Sequence, residues 1–245
     1  MRLALLTTAL VVFAGSLMAA PKDSTPVTHG ELGGLVRQYL LDHPEVIVDA
    51  LEVMQRQENE KSSLKAADAV QKNRKQVYND PLTPIVGKAD ALLTIVEFSD
   101  YNCSACKFMF TALDRLMKED GDKVRLLVKE FPIFGEASEQ MAAIGIAAYQ
   151  IDKPKYQAFH SALMKAAGRT DDAKVDAALT FAGYNASEVR ERAKQKDIAK
   201  AIEQNHALGQ AMGIRGTPTL IIGDEVVPHA LDYDTLKEKV EAQNK

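Results

Sequence analysis

The feature that most restricts the fold is an apolar run, Ala91 to Phe98, that leads within five residues into a pair of cysteines. The run reads ALLTIVEF and is rich in β-branched residues, which predicts a strand covered on both faces. Apolar residues at helical spacing follow Cys103, and residues 124–128 predict a second strand. A strand, a helix and a second strand in this order predict that the two strands pair in parallel.

The rest of the chain extends this unit with a helical block and a hairpin. Residues 136–212 carry apolar residues at helical spacing, interrupted by Pro154, Gly168 and Gly183. Two short apolar runs, 219–222 and 225–227, flank Gly223-Asp224 and predict a hairpin, and residues 231–242 predict a closing helix. The predicted fold class is α/β: the plan of thioredoxin with a large helical insertion at about 136–212.

The N-terminus has the pattern of a secretory signal peptide over residues 1–20. Arg2 precedes an apolar run from Leu3 to Leu17, and small residues follow at Ala19 and Ala20. The run is shorter than the roughly 20 residues of a membrane span, although an uncleaved anchor is the alternative. We therefore expect an exported protein.

Residues 21–80 predict an N-terminal helical region, and residues 81–245 a catalytic domain. One helix is predicted over 30–41 and a second from Pro44 to about Val77, ended by Asn79-Asp80-Pro81. The apolar stripe of these helices either mediates self-association or packs on the chain's own catalytic domain. The polar stretch 55–63 interrupts the stripe and is compatible with a hinge.

Composition excludes some functions and draws attention to the cysteines. The formal net charge is −4, there is no Trp, and aromatic content is low, so nothing predicts nucleic acid as a partner. The whole chain has two cysteines, three positions apart. So short a loop stabilises little as a structural disulfide, and in an oxidising compartment the pair points to redox chemistry.

Cys103 and Cys106 occupy a strand-to-helix junction, where backbone N–H groups and the helix dipole favour a thiolate. We predict that Cys103 attacks and that Cys106, one turn further on, resolves the mixed disulfide, so that the two form a redox-active disulfide. The alternatives are half of a zinc site and an inert pair. Zinc would need two further ligands, and neither another cysteine nor histidines at metal-ligand spacing are present. We therefore predict neither a metal nor a cofactor.

Glu97 interrupts the apolar strand six residues before Cys103. A buried carboxyl has a raised pKa, which suits proton exchange with the resolving thiol of Cys106. The alternatives are that Glu97 reaches solvent at the strand end or pairs with Lys129.

Thr217-Pro218 precedes the first strand of the hairpin. A cis peptide bond here would leave the Thr217 backbone free to pair with an extended peptide, and the alternative is an ordinary proline at a strand start. The sequence alone favours that alternative.

With these features in place, the chain resembles the DsbA-like branch of the thioredoxin superfamily. The matching segments are VEFSDYNCSAC at 96–106, VKEFPIFG at 128–135 and GIRGTPTLIIGDEVVP at 213–228. Within that branch it resembles the oligomeric ScsC-type disulfide isomerases, whose helical N-terminal extension is similar to residues 30–55. The resemblance implies that Cys103 attacks, Cys106 resolves, Glu97 is the buried acid, Pro218 is a cis-proline and Thr217 the residue before it.

Two departures from the DsbA pattern stand out. The motif of that branch has Pro and His between the cysteines, where this chain has Ser104 and Ala105. We therefore expect a less oxidising pair. His229 stands where relatives often have Gly, and the sequence offers no account of it.

Three functions follow as hypotheses. The first is a periplasmic disulfide isomerase or reductase that acts, as a homodimer or homotrimer through 30–77, on exported cysteine-containing proteins and is reset by a membrane redox partner. The second is a dithiol oxidase of the DsbA type. The third is a copper(I)-binding copper-stress protein, because two thiolates suit that soft ion.

Overall fold

A computed structural model describes residues 28–243 of the chain. They belong to two compact units, of which the first ends at Arg56 and the second begins at Gln57. Among these residues, no helix combines the length and the apolar character needed to span a membrane. The predicted signal peptide lies outside the described residues.

The N-terminal helices begin with a strong local signal. Helix α1 spans His29–Asp42, and Thr28 and Glu31 form a reciprocal capping box at its start. Helix α2 spans Glu45–Lys72, so the polar stretch 55–63 is helical. The predicted end of α2 near Val77 is wrong, since a separate five-residue helix, α3, follows Asn73. The Asn73 side chain donates a hydrogen bond to the carbonyl of Ala69 at 2.8 Å, a local bond that competes with continued helix.

The second unit is built on a five-stranded mixed sheet with strand order β1-β3-β2-β4-β5. The strands are β1 Ile85–Val86, β2 Leu93–Ser99, β3 Val124–Glu130, β4 Thr219–Ile222 and β5 Glu225–Val227. The remaining helices are α4 Ser104–Asp120, α5 Glu136–Ile151, α6 Lys153–Lys165, α7 Asp172–Phe181, α8 Ala186–Ala193, α9 Lys196–Ala211 and α10 Tyr233–Ala242. Strands β2 and β3 are parallel, which confirms the strand–helix–strand prediction, and the other pairs are antiparallel. Five helices, α5 to α9, form the predicted helical insertion.

Strand β1 is absent from the sequence prediction. It has two residues and pairs with the edge of β3, Ile85 opposite Leu127. Two residues are too few to show the alternation by which a strand is recognised.

The sheet buries both of its faces, and the register decides which side chains share a face. In the parallel pair, Glu97 lies beside Val128 and Phe98 beside Lys129. Because successive residues of a strand point to opposite faces, Glu97 and Lys129 point in opposite directions. One face packs against α4, α10 and parts of the insertion, and the other against the ends of α2 and α9 and against α3.

The apolar residues of the N-terminal helices divide into two groups. Val70 of α2 and Val77 of α3 are fully buried in the core of the second unit, next to Phe98 and Leu127. Large apolar side chains earlier in α1 and α2 are instead exposed: Leu32, Leu35, Val36, Tyr39, Leu41, Ile47, Val48, Leu51, Val53, Met54 and Leu64.

Candidate active site

Cys103 occupies the position that the sequence predicts, at the start of a helix. It is the N-cap of α4, and its sulfur accepts a hydrogen bond from the Cys106 N–H at 3.3 Å. The Cys106 thiol and the backbone N–H groups of Cys106 and Ala105 stabilise the thiolate and lower the pKa of Cys103 to about 6, although partial burial opposes them. Cys103 is therefore largely ionised at neutral pH.

Cys106 lies one turn into α4 and is fully buried. Burial raises the pKa of its thiol, and so do its hydrogen bond to Cys103 and the nearby charge of Glu97. Both cysteines are free thiols. The pair thus combines one ionised sulfur with one that holds its proton.

The segment before β4 lies against the reactive sulfur. The Cys103 sulfur is 3.3 Å from the Thr217 carbonyl oxygen, to which the protonated form of Cys103 donates a hydrogen bond. The Thr217–Pro218 peptide bond is cis, as the resemblance implies. The structure therefore brings Cys103, Cys106 and Thr217-Pro218 together.

Glu97 lies under this site in the middle of β2. It is completely buried and accepts one hydrogen bond, from the Ser99 hydroxyl at 3.2 Å, while its Oε2 has no hydrogen-bond partner among the described residues. Burial raises its pKa to about 8; the Ser99 hydroxyl lowers it in part, and charge on Cys103 raises it further. Both alternative interpretations are excluded, because Glu97 does not reach solvent and Lys129 is on the other face, bonded to Asp80.

The turn before Cys103 is held by a carboxyl that the sequence analysis did not single out. Asp100 is buried and accepts three hydrogen bonds of 2.8 Å, from the backbone N–H groups of Asn102 and Ile133 and from the Ser138 hydroxyl. Asn102 adds a bond to Ser138 through its amide nitrogen and accepts one from the Thr170 N–H. These bonds join the cysteine turn to the helical insertion. An Asp two residues before an Asn is a turn signal, but the sequence does not reveal its distant partners.

A second buried polar group behind the turn also escaped prediction. Its members are Glu130, Tyr101, Tyr156 and His160. The His160 Nδ1 lies 3.1 Å from the Tyr101 hydroxyl and 3.3 Å from the Tyr156 hydroxyl, and burial lowers the pKa of His160 to about 3. Burial also raises the pKa of Glu130 well above its usual value. Both shifts favour the uncharged forms of these side chains. The only signal in the sequence was a Glu directly after Lys129 at the end of a strand.

Glycine makes room for this group. A Cβ atom at Gly145 of α5 would lie 2.6 Å from Glu130 Oε1 and 3.0 Å from the Tyr101 hydroxyl oxygen. The first distance is shorter than the contacts that Cβ atoms make in proteins, so any other residue at position 145 would force the Glu130 carboxyl or the α5 backbone to move.

Residues 28–243 contain no group of three or more His, Cys, Asp or Glu side chains placed to hold a metal ion. The copper(I) hypothesis therefore depends on the two cysteines alone and stays a prediction.

Comparisons with known proteins agree with this geometry. Residues 79–242 match the family model described as thioredoxin, and residues 31–61 match the model of the N-terminal domain of the copper resistance protein ScsC. The catalytic domain of Proteus mirabilis ScsC superposes with a TM-score of 0.65 at 30% identity, over 72% of this chain and 97% of that one. A periplasmic thioredoxin-like protein from Salmonella enterica serovar Typhimurium gives a TM-score of 0.64 at 30% identity, over 69% of this chain and 94% of that one. Disulfide bond formation protein D of Bacillus subtilis is 29% identical over 171 residues, 66% of this chain and 77% of the relative.

The family model covers most of the chain, and the structure places a CxxC pair at a helix start beside a cis-proline, in a thioredoxin-like sheet with a helical insertion. The chain belongs to the thioredoxin family and is a thiol-disulfide oxidoreductase of the DsbA/ScsC type.

Proposed function

We propose that this protein is a periplasmic disulfide isomerase or reductase that acts as an oligomer on exported proteins. The observation that carries the proposal is the asymmetry of the two sulfurs. Cys103 is ionised at the start of α4, while Cys106 is buried, protonated and in contact with it.

The reaction follows from that asymmetry. The Cys103 thiolate attacks a substrate disulfide, a mixed disulfide forms, and one substrate sulfur leaves as a thiolate. In isomerisation that sulfur attacks another disulfide of the substrate, and the final exchange releases Cys103 again. In reduction Cys106 loses its proton and attacks the Cys103 sulfur, so that the second substrate sulfur leaves and the enzyme is oxidised.

Glu97 is proposed to handle the proton of Cys106. It is completely buried, its charge acts on this thiol, and its pKa of about 8 keeps it largely protonated at neutral pH. When the enzyme disulfide is opened, Glu97 donates a proton to the departing Cys106 sulfur, and in the reverse step it accepts one. Thr217, whose carbonyl faces Cys103, is proposed to pair with the backbone of the substrate.

The residues between the cysteines favour isomerase or reductase activity over oxidation. Neither Ser104 nor Ala105 carries an imidazole or a positive charge that would further stabilise the thiolate. A less stabilised reduced form gives a less oxidising pair. The oxidase remains the second candidate, because the Bacillus subtilis relative is named for disulfide bond formation.

The first unit supports an oligomer. In α1, exposed Leu32, Leu35, Val36 and Tyr39 recur at helical spacing and form one apolar stripe. A stripe of this kind in water is stabilised by covering it with a second copy. The match of residues 31–61 to the ScsC N-terminal domain supports the same role. Export and a membrane redox partner remain proposals that depend on the signal pattern over residues 1–20.

Charge introduced on the apolar stripe tests the oligomer and the activity together. The full chain with Leu35→Glu and Leu51→Glu should have the mass of a monomer in solution. It should also lose most of its isomerase rate on a scrambled multi-disulfide protein. The matched control, Arg37→Gln with Gln57→Glu, changes the net charge equally at polar positions and should keep both. A monomeric wild type, or full isomerase activity in the monomeric variant, would contradict the oligomer proposal.

The balance between isomerase and oxidase is tested on the wild type. We expect the Cys103–Cys106 pair to equilibrate with glutathione at a potential nearer that of protein disulfide isomerase than that of DsbA, which differ by about 60 mV. In addition, Cys106→Ala should accumulate mixed disulfides with exported proteins. A potential at the DsbA value, with faster oxidation than isomerisation, would favour the second candidate.

A further inference from the structure

A groove of about 800 Å³ lies on the second unit, on the sheet face opposite Glu97. Its walls come from residues 59–69 of α2, from the end of α9 with the turn after it, and from the β4–β5 hairpin with His229 beyond it. Buried Met212 and Ile214 contribute to its lining. We call it the polar groove, because Ser62, Ser63 and Gln210 line it with hydroxyl and amide groups.

The charged side chains that line the polar groove are all basic. Lys65, Arg215 and His229 line it, and all three side chains are exposed. Its lining includes neither Asp nor Glu, although acidic residues outnumber basic ones in the chain, 34 to 30. Within residues 28–243, neither Lys65 nor Arg215 has an ion-pair or hydrogen-bond partner for its side chain. Two cations without ion-pair partners, in a lining without Asp or Glu, attract negative charge.

One end of the polar groove lies close to the Cys103 sulfur. Arg215 and Thr219 both line it, and they stand two positions on either side of Thr217. The Thr217 carbonyl oxygen is 3.3 Å from the Cys103 sulfur. Two residues span at most about 7 Å, so a peptide held at Cys103 reaches Arg215 within a few residues of its own cysteine.

We propose that the polar groove binds an extended, acidic segment of a partner protein, a few residues from the cysteine that Cys103 attacks. Carboxylates of the segment pair with Lys65 and Arg215, while the hydroxyl and amide groups bond its backbone. This inference rests on the proposed function and adds to it a class of preferred substrate. It also gives His229 a place, on the wall of that site.

The experiment compares two peptide disulfides that differ only in charge. Both carry one mixed disulfide, followed at positions three to six by either Asp residues or Lys residues. The rate constant of their reaction with the reduced full chain is divided by the rate with hydroxyethyl disulfide, a small neutral compound, so that changes in thiol reactivity cancel. At low salt we expect the acidic peptide to react about 10-fold faster than the basic one, with the gap closing to about 2-fold at 0.5 M salt.

Charge reversal in the groove locates the preference. Lys65→Glu with Arg215→Glu should abolish or invert it. Lys196→Glu with Lys200→Glu makes the same change in net charge, and its positions lie on α9 outside the lining of the groove. This control should keep the wild-type preference.

The outcomes separate the two proposals. If neither peptide forms a mixed disulfide with Cys103, the proposed function fails. If both peptides react at equal rates, or if the two charge-reversal variants behave alike, the groove proposal is wrong while the thiol chemistry stands.

Discussion

Two ionisable side chains are buried on opposite faces of the central sheet, and they differ in whether their polar atoms are satisfied. Lys129 of β3 donates three hydrogen bonds from Nζ, to the Gln76 carbonyl at 2.7 Å, Asp80 Oδ2 at 3.0 Å and the Thr83 hydroxyl at 2.6 Å. An ammonium group has three protons, so nothing is left unpaired. Glu97 of β2 has one bond for two oxygens.

The difference separates structure from chemistry. Burial alone would raise the pKa of Asp80, but the charge and hydrogen bond of Lys129 hold it below its usual value. Burial lowers the pKa of Lys129, and Asp80 opposes that shift. The pair ties the chain after α3 to β3. Glu97 has no such partner, and burial raises its pKa to about 8, close to the pH at which it is proposed to exchange protons. Complete pairing suits Lys129 to a structural role, whereas incomplete pairing near the reactive sulfur is consistent with the proton exchange proposed for Glu97.

The largest expected effect comes from breaking the complete pair. Lys129→Met leaves Asp80 and the Gln76 carbonyl without their cation and should lower the free energy of unfolding by about 3–5 kcal/mol. The control, Lys123→Met, removes an exposed ion pair with Asp120 and should cost less than about 1 kcal/mol. Urea denaturation of the reduced full chain measures both, and equal losses would show that Lys129 is not structurally special.

The sequence predicted the order of elements but not this pairing. Short apolar runs located β2, β3 and the hairpin, because such runs and the turn residues between them are local features. The suggestion that Glu97 pairs with Lys129 failed because it depends on register between strands, and Phe98, not Glu97, lies beside Lys129. Asp80 appeared only as a helix breaker, since its partner is 49 positions away.

In the site too, the residues marked by local pattern were predicted and those brought together by distant packing were not. Cys103, Cys106 and Glu97 stand close together along one strand–helix junction, so local pattern was enough to select them. Tyr101, Glu130 and His160 meet only through the packing of the helical insertion, which no spacing in the sequence reveals.

The second-largest effect is a pH dependence of the free energy of unfolding, caused by the incompletely paired Glu97. The folded-state pKa of Glu97 is raised from 4.5 to about 8, so the folded protein holds a proton that the unfolded chain releases between these values. Its contribution to stability is therefore fully present below about pH 4.5 and is lost as the pH rises to about 8, a change on the order of 3 kcal/mol between pH 5 and 8. Glu97→Gln cannot release that proton and should escape this loss.

Comparison with the wild type isolates the effect. The lowered pKa of Cys103 acts in the opposite direction above about pH 6, and it is present in both proteins. At pH 5 the urea midpoints of the wild type and Glu97→Gln, measured with the thiols kept reduced, should therefore be similar. At pH 8 the midpoint of Glu97→Gln should be the higher of the two. The exposed Glu139→Gln serves as control and should follow the wild type, and parallel curves for Glu97→Gln would mean that Glu97 is ionised throughout.

The smallest effect concerns the sulfur itself. The hydrogen bond from the Cys106 thiol is the largest influence holding the pKa of Cys103 near 6. Cys106→Ala removes that donor and should raise the pKa by about one unit, equivalent to about 1.4 kcal/mol. Cys106→Ser retains a hydroxyl donor and should fall between Ala and the wild type. The rate of alkylation by iodoacetamide between pH 4 and 9 gives the midpoint for each protein.

The same titration also compares Lys129 and Glu97, which are buried on opposite faces of the sheet. Lys129→Met, despite its large loss of stability, should leave the Cys103 midpoint unchanged, because its charge is on the opposite face and is neutralised by Asp80. Glu97→Gln should also leave the midpoint nearly unchanged, because Glu97, with a pKa of about 8, is uncharged near pH 6, where Cys103 titrates. If Lys129→Met moved the midpoint more than Glu97→Gln, charge on the paired face would be reaching the reactive sulfur through the sheet, and the division between a structural and a chemical face would not hold.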